Sequence, residues 1–323
     1  MISFIVIGRN EGWKLTKCFI SIFQTIKQNT LSKYEVIYVD SKSTDDSIER
    51  AKIFKDVKIF VITGYCNAAI ARNIGAKESS GDTLYFIDGD MELIPDFLGN
   101  IYNIDGTLLY AFLSGDYYNL NYNKDNVLLN KQLAYNNKHI LRDYKTGGLF
   151  IIKREVWNIV DGMRNEFKRS QDFDLGLRLA AKGYFLYRLP IISAIHNTIA
   201  YSDKSRKWRM LFDKTHLWGR CYLYRKNIFN KYSWNLWFKQ DYTLLLLTLI
   251  LVVCLILGMK YTPFFLIYLF AISFRSIKRN IRCLKVRLLF EDFFYYLIRD
   301  ITQIIGLISF FPMPVKNIKY IRK

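Results

Sequence analysis

The chain has 323 residues, of which 51% are hydrophobic and 16% aromatic, so it can build a sizeable core and is not disordered. It carries 47 Lys and Arg against 28 Asp and Glu, which gives a formal net charge of +19. The basic residues are dense in 201–240 and 275–287, beside long apolar stretches, so an anionic membrane surface is favoured over nucleic acid as the partner. Five scattered cysteines without metal-ligand spacing predict reduced thiols in a cytosol-facing protein.

The first 90 residues alternate between short apolar runs and segments with helical periodicity. The chain starts directly as a strand, so we expect no signal peptide. Four alternations of strand and helix predict an α/β domain with a parallel, doubly wound sheet. The predicted strands are 2–7, 34–39, 57–62 and 83–87, and the predicted helices are 13–27, 47–54 and 67–79.

Polar side chains follow three of these strands, at the ends where such a sheet binds ligands. They are Asn10, Glu11, Asp40, Asp88 and Asp90. The last two, separated by one glycine, point the same way if the strand geometry persists, and two such carboxylates suit a divalent cation shared with phosphates. A polar turn closing the strand is the alternative. The chain has neither a dinucleotide-binding glycine motif nor a P-loop.

Five segments together resemble a family 2 glycosyltransferase of the GT-A fold, over about residues 2–200. They occur in the family's order and approximate spacing: VIGRNE at 6–11, VDSKSTD at 39–45, ARNIGA at 71–76, FIDGD at 86–90 and DFDLGLR at 172–178. The resemblance implies a nucleotide-sugar donor, often a UDP-sugar, and a divalent metal, Mn²⁺ or Mg²⁺.

The resemblance also implies roles for individual donor-side residues. Asp90 is expected to be the more direct metal ligand, while Asp88 contacts the ribose or the metal. The donor-binding residues expected from the family are Asn10, Glu11, Asp40, Arg72 and Asp88. Asp40 is expected at the base or ribose, Glu11 beside the nucleoside, and Arg72 closing the pocket. The alternative for Arg72 is a cation on the surface of a helix.

Asp172, at the start of a predicted helix over 172–182, matches the residue that the family uses as catalytic base. Gln171 stands where the family often has Glu, which weakens any role for a paired acid. A helix cap is the structural alternative, since an acidic residue is favoured at a helix N-terminus. Asp174 is the competing candidate for the base.

Two further features resemble family positions on the acceptor and metal side. Gly147 and Gly148 precede an apolar strand, 149–152, and are similar to the family's acceptor loop, although an ordinary turn is possible. His196 ends a strand-like run over 191–195, where some GT-A enzymes place a further metal ligand, and imidazole suits Mn²⁺. A merely polar or buried histidine is the alternative.

The C-terminal third predicts a membrane attachment. Residues 242–259 are uncharged and mostly Leu, Ile and Val, long enough for a transmembrane helix, whereas the uncharged run 261–274 is shorter and leaves a hairpin or a re-entrant segment open. The basic flanks should stay cytoplasmic, and 288–312 is typical of an interfacial helix. We therefore divide the chain into a GT-A domain over 1–200, a basic membrane-interface segment over 201–240, a transmembrane hairpin over 241–274, and a loop, interfacial helix and tail over 275–323.

These observations favour a membrane-attached, inverting glycosyltransferase at the cytoplasmic face of the inner membrane. A polyprenyl-linked saccharide of a bacterial surface polysaccharide is the expected acceptor, and transfer directly to polyprenyl phosphate is a variant. The Gln-x-x-Arg-Trp signature of processive synthases is absent. The alternative from another class is a non-catalytic GT-A-like scaffold in a polysaccharide assembly complex.

Overall fold

The computed structural model describes residues 1–199, 208, 211, 214–281, 286–315 and 317–323, apart from the side chains of 214–218. The chain divides into two compact units. One consists of Met1–Ser202 together with Met313–Lys323, and the other of Asp203–Pro312.

The first unit is built on one mixed sheet. The described strands of the first unit form a continuous sheet in the order β11-β3-β2-β1-β4-β9-β6-β10-β5. In addition, β7 pairs with β6 and β8 pairs with β10. The strands are β1 (Ile2–Gly8), β2 (Tyr34–Asp40), β3 (Val57–Ile62), β4 (Thr83–Asp88), β5 (Met91–Leu93), β6 (Phe112–Tyr122), β7 (Leu128–Leu133), β8 (Leu141–Asp143), β9 (Leu149–Lys153), β10 (Leu186–Ile199) and β11 (Tyr320–Arg322).

Six helices connect the strands of this unit. They are α1 (Trp13–Gln28), α2 (Ser47–Lys52), α3 (Ala68–Glu78), α4 (Pro95–Gly99), α5 (Arg154–Ile159) and α6 (Gln171–Ala181). The strands β1 to β4 are parallel to one another, as the alternating pattern predicts, but β9 runs antiparallel to β4. The sheet is therefore mixed, and only its first half is parallel.

The apolar runs are continuous because the strands are buried on both faces. Phe4 and Val6 of β1 face the core that α1 covers, while Ile5 and Ile7 face the core that α3 and α6 cover. The amphipathic helices thus seal both sides of the sheet.

A buried carboxylate ties the amino-terminal edge of the parallel strands together. Glu35 of β2 accepts hydrogen bonds from Ser3 Oγ (2.7 Å) and the Ser80 backbone N–H (2.6 Å), and pairs with Lys58 Nζ at 2.8 Å. Burial alone would raise the pKa of Glu35, but these hydrogen bonds lower it from 4.5 to about 2.

The C-terminal tail belongs to the first unit. Its strand β11 pairs antiparallel with β3, and Tyr320 OH donates a 2.6 Å hydrogen bond to Glu78. The edge strand of the sheet is therefore covered by the last residues of the chain, whereas the sequence indicated only a basic tail there.

The second unit is helical. Its helices are α7 (Lys214–Lys226), α8 (Lys231–Gln240), α9 (Tyr242–Leu257), α10 (Phe265–Asn280) and α11 (Val286–Ser309), with a 3₁₀ helix (Met259–Phe264) between α9 and α10. A small apolar core contains Leu247, Ile250, Cys254, Tyr268 and Ile272.

The predicted transmembrane helix over 242–259 is not found as a single spanning helix. Across the described ranges, no one helix has the length and the hydropathy to cross a membrane. The helices α8 and α9 reach that threshold only when taken together, and they are bent by 108° at the break between them. The apolar run itself ends as a helix at Leu257.

Candidate active site

The carboxyl ends of β1, β2 and β4 lie side by side. Gly8 is paired with Asp40, and Ile7 with Asp88, so the loops that follow these strands emerge at one edge of the sheet. This alignment brings the polar residues after β1, β2 and β4 to a common surface.

The loops after β1 and β2 are locked to each other. Asn10, with a positive φ of 59°, accepts a hydrogen bond on its side-chain oxygen from the Thr44 backbone N–H at 2.7 Å. The fully buried Asp40 accepts from Tyr38 OH at 2.9 Å and from the Ser43 backbone N–H at 2.8 Å. Asp40 therefore shapes the rim of this edge through bonds to its own strand and loop.

Arg72 is directed into the site from α3. Its Nη2 lies 2.6 Å from Asp88 Oδ1, and the side chain is only 3% exposed, so the alternative of a surface cation is wrong. Its Nε has no hydrogen-bond partner among the described residues. Burial, together with repulsion from Asp90, raises the pKa of Asp88 to about 6 even though Arg72 opposes the shift.

The two carboxylates of the Asp-Gly-Asp motif have different partners. The backbone turns at Gly89 and Asp90, so the extended geometry does not persist, and β5 begins immediately afterwards. Asp90 Oδ2 lies 3.2 Å from His196 Nε2, while Asp88 contacts the guanidinium. The motif thus presents one carboxylate to a cationic side chain and the other to an imidazole.

His196 contacts Asp90 because β10 pairs antiparallel with β5. This pairing places His196 opposite Met91, the residue that follows Asp90. Its other ring nitrogen, Nδ1, is 2.7 Å from Asn119 Oδ1 on β6. Burial alone would lower the pKa of His196, but the hydrogen bond to Asp90 and the nearby negative charges raise it. The histidine is an oriented member of the site and not merely a polar core residue.

Glu11 completes a concentration of negative charge. It forms an ion pair with Lys14 at 3.0 Å, yet burial and repulsion from Asp90 raise the pKa of Glu11 to about 7. In the part of the chain that the structure describes, no group of three or more His, Cys, Asp and Glu side chains converges as a ready metal site. A carboxylate beside an imidazole, amid crowded acids, is nevertheless a donor set that suits Mn²⁺.

The glycine loop predicted on the acceptor side touches the motif directly. The Asp88 backbone N–H donates to Gly148 O at 2.8 Å, and a Cβ on Gly148 would lie only 2.6 Å from Asp88 Oδ2. Gly147 has a positive φ of 71°, which favours glycine. The second glycine is therefore required by close approach to Asp88. Both glycines lie in a turn before β9, and their acceptor-side role stays a prediction.

Asp172 and Asp174 differ sharply in their surroundings. Asp174 is fully buried, with Arg164 Nη1 at 2.9 Å and Arg178 Nε at 2.8 Å, so both of its oxygens are engaged. Asp172, in the first turn of α6, is partly exposed, and its side chain has no hydrogen bond or ion pair within the described residues. Asp174 is structural, which leaves Asp172 as the available carboxylate.

The topology directs the start of α6 to the site edge. The strand β10, which follows α6, runs parallel to β6, and both run in the direction of β4. Leu175 and Leu179 pack α6 against the sheet. Because α6 leads back to the start of β10, at the amino edge of the sheet, the helix itself begins at the carboxyl edge.

The sequence alone did not identify the residues that hold the loop before Gly147 in place. Arg188, 1% exposed, donates from Nη2 to Asp143 (3.1 Å) and to the Lys145 carbonyl (2.8 Å), and its guanidinium lies 3.8 Å from the centre of the Tyr135 ring. The available signal for Arg188 was its position as the one charged residue in the largely apolar run 186–195. Asn119, the partner of His196, carried no local signal.

Comparison with known proteins places the chain in a family. The family model described as "Glycosyl transferase family 2" matches residues 3–168. Two curated relatives are similar: "Glycosyltransferase AglE" of Haloferax volcanii, 34% identical over 28% of this chain and 30% of its own length, and an "Uncharacterized glycosyltransferase" of Haemophilus influenzae, 24% identical over 57% and 64%. The chain therefore spans less than two thirds of either relative.

A solved structure is similar over most of the chain. The mannosyltransferase PcManGT from Pyrobaculum calidifontis, in complex with GDP-Man and Mn²⁺, is 14% identical with a TM-score of 0.58, over 94% of this chain and 86% of its own. At this identity the likeness shows a shared mixed α/β GT-A fold. Since the family model covers just over half of the chain, the protein is a member of glycosyltransferase family 2.

Proposed function

We propose that the protein transfers a sugar from a nucleotide-sugar donor to an acceptor hydroxyl with inversion at the anomeric carbon. The observation that carries this proposal is the pairing of Asp88 with Arg72 and of Asp90 with His196 at one edge of the sheet. The pKa values of Glu11 and Asp88 are raised by burial and by the charge of Asp90, which is typical of a site that receives a cation or a proton.

The donor's diphosphate is the group that this edge suits. Asp90, His196 and Asp88 would hold a Mn²⁺ or Mg²⁺ ion, which when bound neutralises charge on the leaving diphosphate. Arg72 fixes the Asp88 carboxylate at 2.6 Å. On the nucleoside side, Asn10 and Glu11 lie in the loop after β1, and the buried Asp40 holds the loop after β2 in place. The nucleotide is a UDP or a GDP, since the resemblance favours the first and PcManGT is complexed with GDP-Man.

Asp172 is the proposed catalytic base. Its carboxylate accepts the proton of the acceptor hydroxyl as the hydroxyl oxygen bonds to the anomeric carbon. The bond from that carbon to the diphosphate oxygen breaks on the opposite face, so the configuration is inverted. The freedom of Asp172 from internal partners, in contrast with Asp174, supports this role.

The proposed acceptor is a polyprenyl-linked saccharide at the cytoplasmic face of the inner membrane, approached past Gly147 and Gly148. Apolar segments and the basic charge of residues 201–312 support this location. Incubating membranes with a radiolabelled donor tests it, because the label should enter the lipid extract. Mild acid release followed by mass spectrometry distinguishes an extended saccharide from a single sugar on polyprenyl phosphate.

The test of the reaction combines donor binding and turnover. We expect UDP or GDP sugars with Mn²⁺ to raise the melting temperature of the wild type and to be hydrolysed slowly. Asp90→Ala should lose metal-dependent donor binding, whereas Asp172→Asn should keep binding and lose turnover. Asp56→Asn, an exposed change at the opposite edge of the sheet, is the matched control.

Two results would reject the proposal. If Asp90→Ala and Asp172→Asn both matched the wild type, the site assignment would be wrong. If the wild type neither bound nor turned over any nucleotide-sugar, a non-catalytic scaffold in a polysaccharide assembly complex would be the better account.

A further inference from the structure

The longest described helix of the second unit, α11, buries polar side chains and exposes apolar ones, which is the reverse of a helix that faces water. Its inward residues include the buried Asp292, Arg299, Asp300 and Gln303. Its outward residues are large, apolar and between 42% and 74% exposed, at spacings of three and four. They are Phe290, Phe294, Ile298, Ile301, Ile305 and Ile308.

The buried charges of this helix are satisfied within the unit. Arg299 Nη2 lies 2.8 Å from Asp300 Oδ1 and 3.2 Å from Asp241 Oδ1. Asp292 pairs with Arg279 at 3.3 Å and accepts from the Asn280 amide at 2.9 Å. The buried charged side chains therefore have partners inside the bundle, and the outward face of the helix is apolar.

The two preceding helices also expose apolar side chains. On α10, Leu266, Phe270, Phe274 and Ile277 recur at spacings of four, four and three, and all are exposed. At the end of α9, Leu255 is 86% exposed, and Val252 and Ile256 lie on the same turns. Three consecutive helices thus expose apolar side chains in far greater number than the scattered few that water-soluble surfaces carry.

The charge around this face identifies what covers it. Residues 203–312 contain eighteen Lys and Arg against six Asp and Glu. The exposed Arg287 stands three residues before Phe290 on α11, and the exposed Lys278 stands four residues after Phe274 on α10. Each apolar stripe therefore meets a cation where α10 leads to α11. A second protein chain would have to be both apolar and acidic to match this pattern, whereas an anionic lipid layer presents acyl chains and negative headgroups together.

We propose that this lipid face, formed by the exposed apolar residues of α9, α10 and α11, embeds among the acyl chains of an anionic bilayer. Lys278 and Arg287 contact the headgroup phosphates at its edge. The proposal rests on the membrane attachment proposed above and deepens it, since it assigns the residues that contact lipid and the charge of that lipid.

Flotation of the full chain with vesicles tests the lipid face directly. We expect strong binding to phosphatidylcholine vesicles containing a third of phosphatidylglycerol, and weaker binding to phosphatidylcholine alone. Ile301→Glu should weaken binding at least about tenfold, because it replaces an exposed apolar side chain of the proposed lipid face with a charge. Gln24→Glu adds the same charge at an exposed polar position of α1, in the first unit, and should bind as the wild type does.

Donor-induced stabilisation, measured on the same preparations, separates this proposal from the catalytic one. Retained stabilisation in Ile301→Glu shows that the catalytic unit is folded, so that a loss of flotation reports on the lipid face. Equal flotation of Ile301→Glu and the wild type would overturn the proposal. So would a lipid-free oligomer by light scattering that Ile301→Glu dissociates, since a second copy would then cover the face. Vesicle binding without any donor stabilisation would leave the lipid face standing and count against the proposed reaction.

Discussion

Replacing Asp174 by asparagine should destabilise the fold, whereas the same change at Asp172 should abolish transfer and leave the fold intact. Asp174 is fully buried between Arg164 and Arg178, whose side chains are 33% and 12% exposed. Removing the shared carboxylate leaves two guanidinium groups without their counter-ion. Breaking such a buried pair costs about 3 to 5 kcal/mol, and the lower end applies because Arg164 reaches solvent.

For a unit of this size, about 3 kcal/mol corresponds to a fall in melting temperature of about 6 to 12 °C. Differential scanning fluorimetry of Asp174→Asn, Asp172→Asn and the wild type measures the shift, and donor turnover is measured on the same samples. An unchanged melting temperature in Asp174→Asn would contradict the structural role of this carboxylate. An equally large fall in the melting temperature of Asp172→Asn would contradict the difference between the two residues. Retained turnover in Asp172→Asn would remove that residue from the reaction.

Three further predictions concern contacts within the first unit. Gly148→Ala should lower transfer sharply, because its Cβ would lie 2.6 Å from Asp88 Oδ2 and must displace that carboxylate; unchanged rates would contradict this. Asn119→Ala should weaken Mn²⁺ activation by about 10- to 100-fold through loss of the bond that orients His196, measured by metal titration of turnover. Glu35, whose pKa falls from 4.5 to about 2 on folding, should contribute about 1 to 3 kcal/mol above pH 4.5 that is lost as the pH falls towards 2, since solvent screens the charge of Lys58, which is 42% exposed. Urea unfolding across this range should therefore show a steeper acid loss in the wild type than in Glu35→Gln, and equal slopes would refute it.

Much of the site's placement follows from strand ends alone. Strands β1, β2 and β4 were predicted to within one residue at each end, because each is a continuous apolar run closed by glycine or a polar residue. Parallel strands end at one edge, so Asp40 and Asp88 were expected at the same edge once the alternating pattern was recognised. Partners from distant segments could not be assigned in this way.

The pairing of Asp90 with His196 shows why. These residues are 106 positions apart and meet only because β5, a strand of three residues, turns back beside β10. No local pattern encodes that register, since it depends on which edge remains free after the other strands have paired. The choice between Asp172 and Asp174 was equally closed to the sequence, because both sit in the first turn of α6 and only the surrounding arginines distinguish them.

The sequence by itself determined the class of sheet in the first half, the residues at its carboxyl edge and the family to which they belong. Those features are local, set by runs of apolar side chains and the residues that end them. Only the tertiary structure decided which carboxylate is buried, that His196 contacts Asp90, that the tail returns to cover β3, and that α11 places charge inside and apolar side chains outside. The physical reason is that hydrophobicity specifies how strongly a side chain avoids water, whereas its neighbours are fixed by packing between segments far apart in the chain.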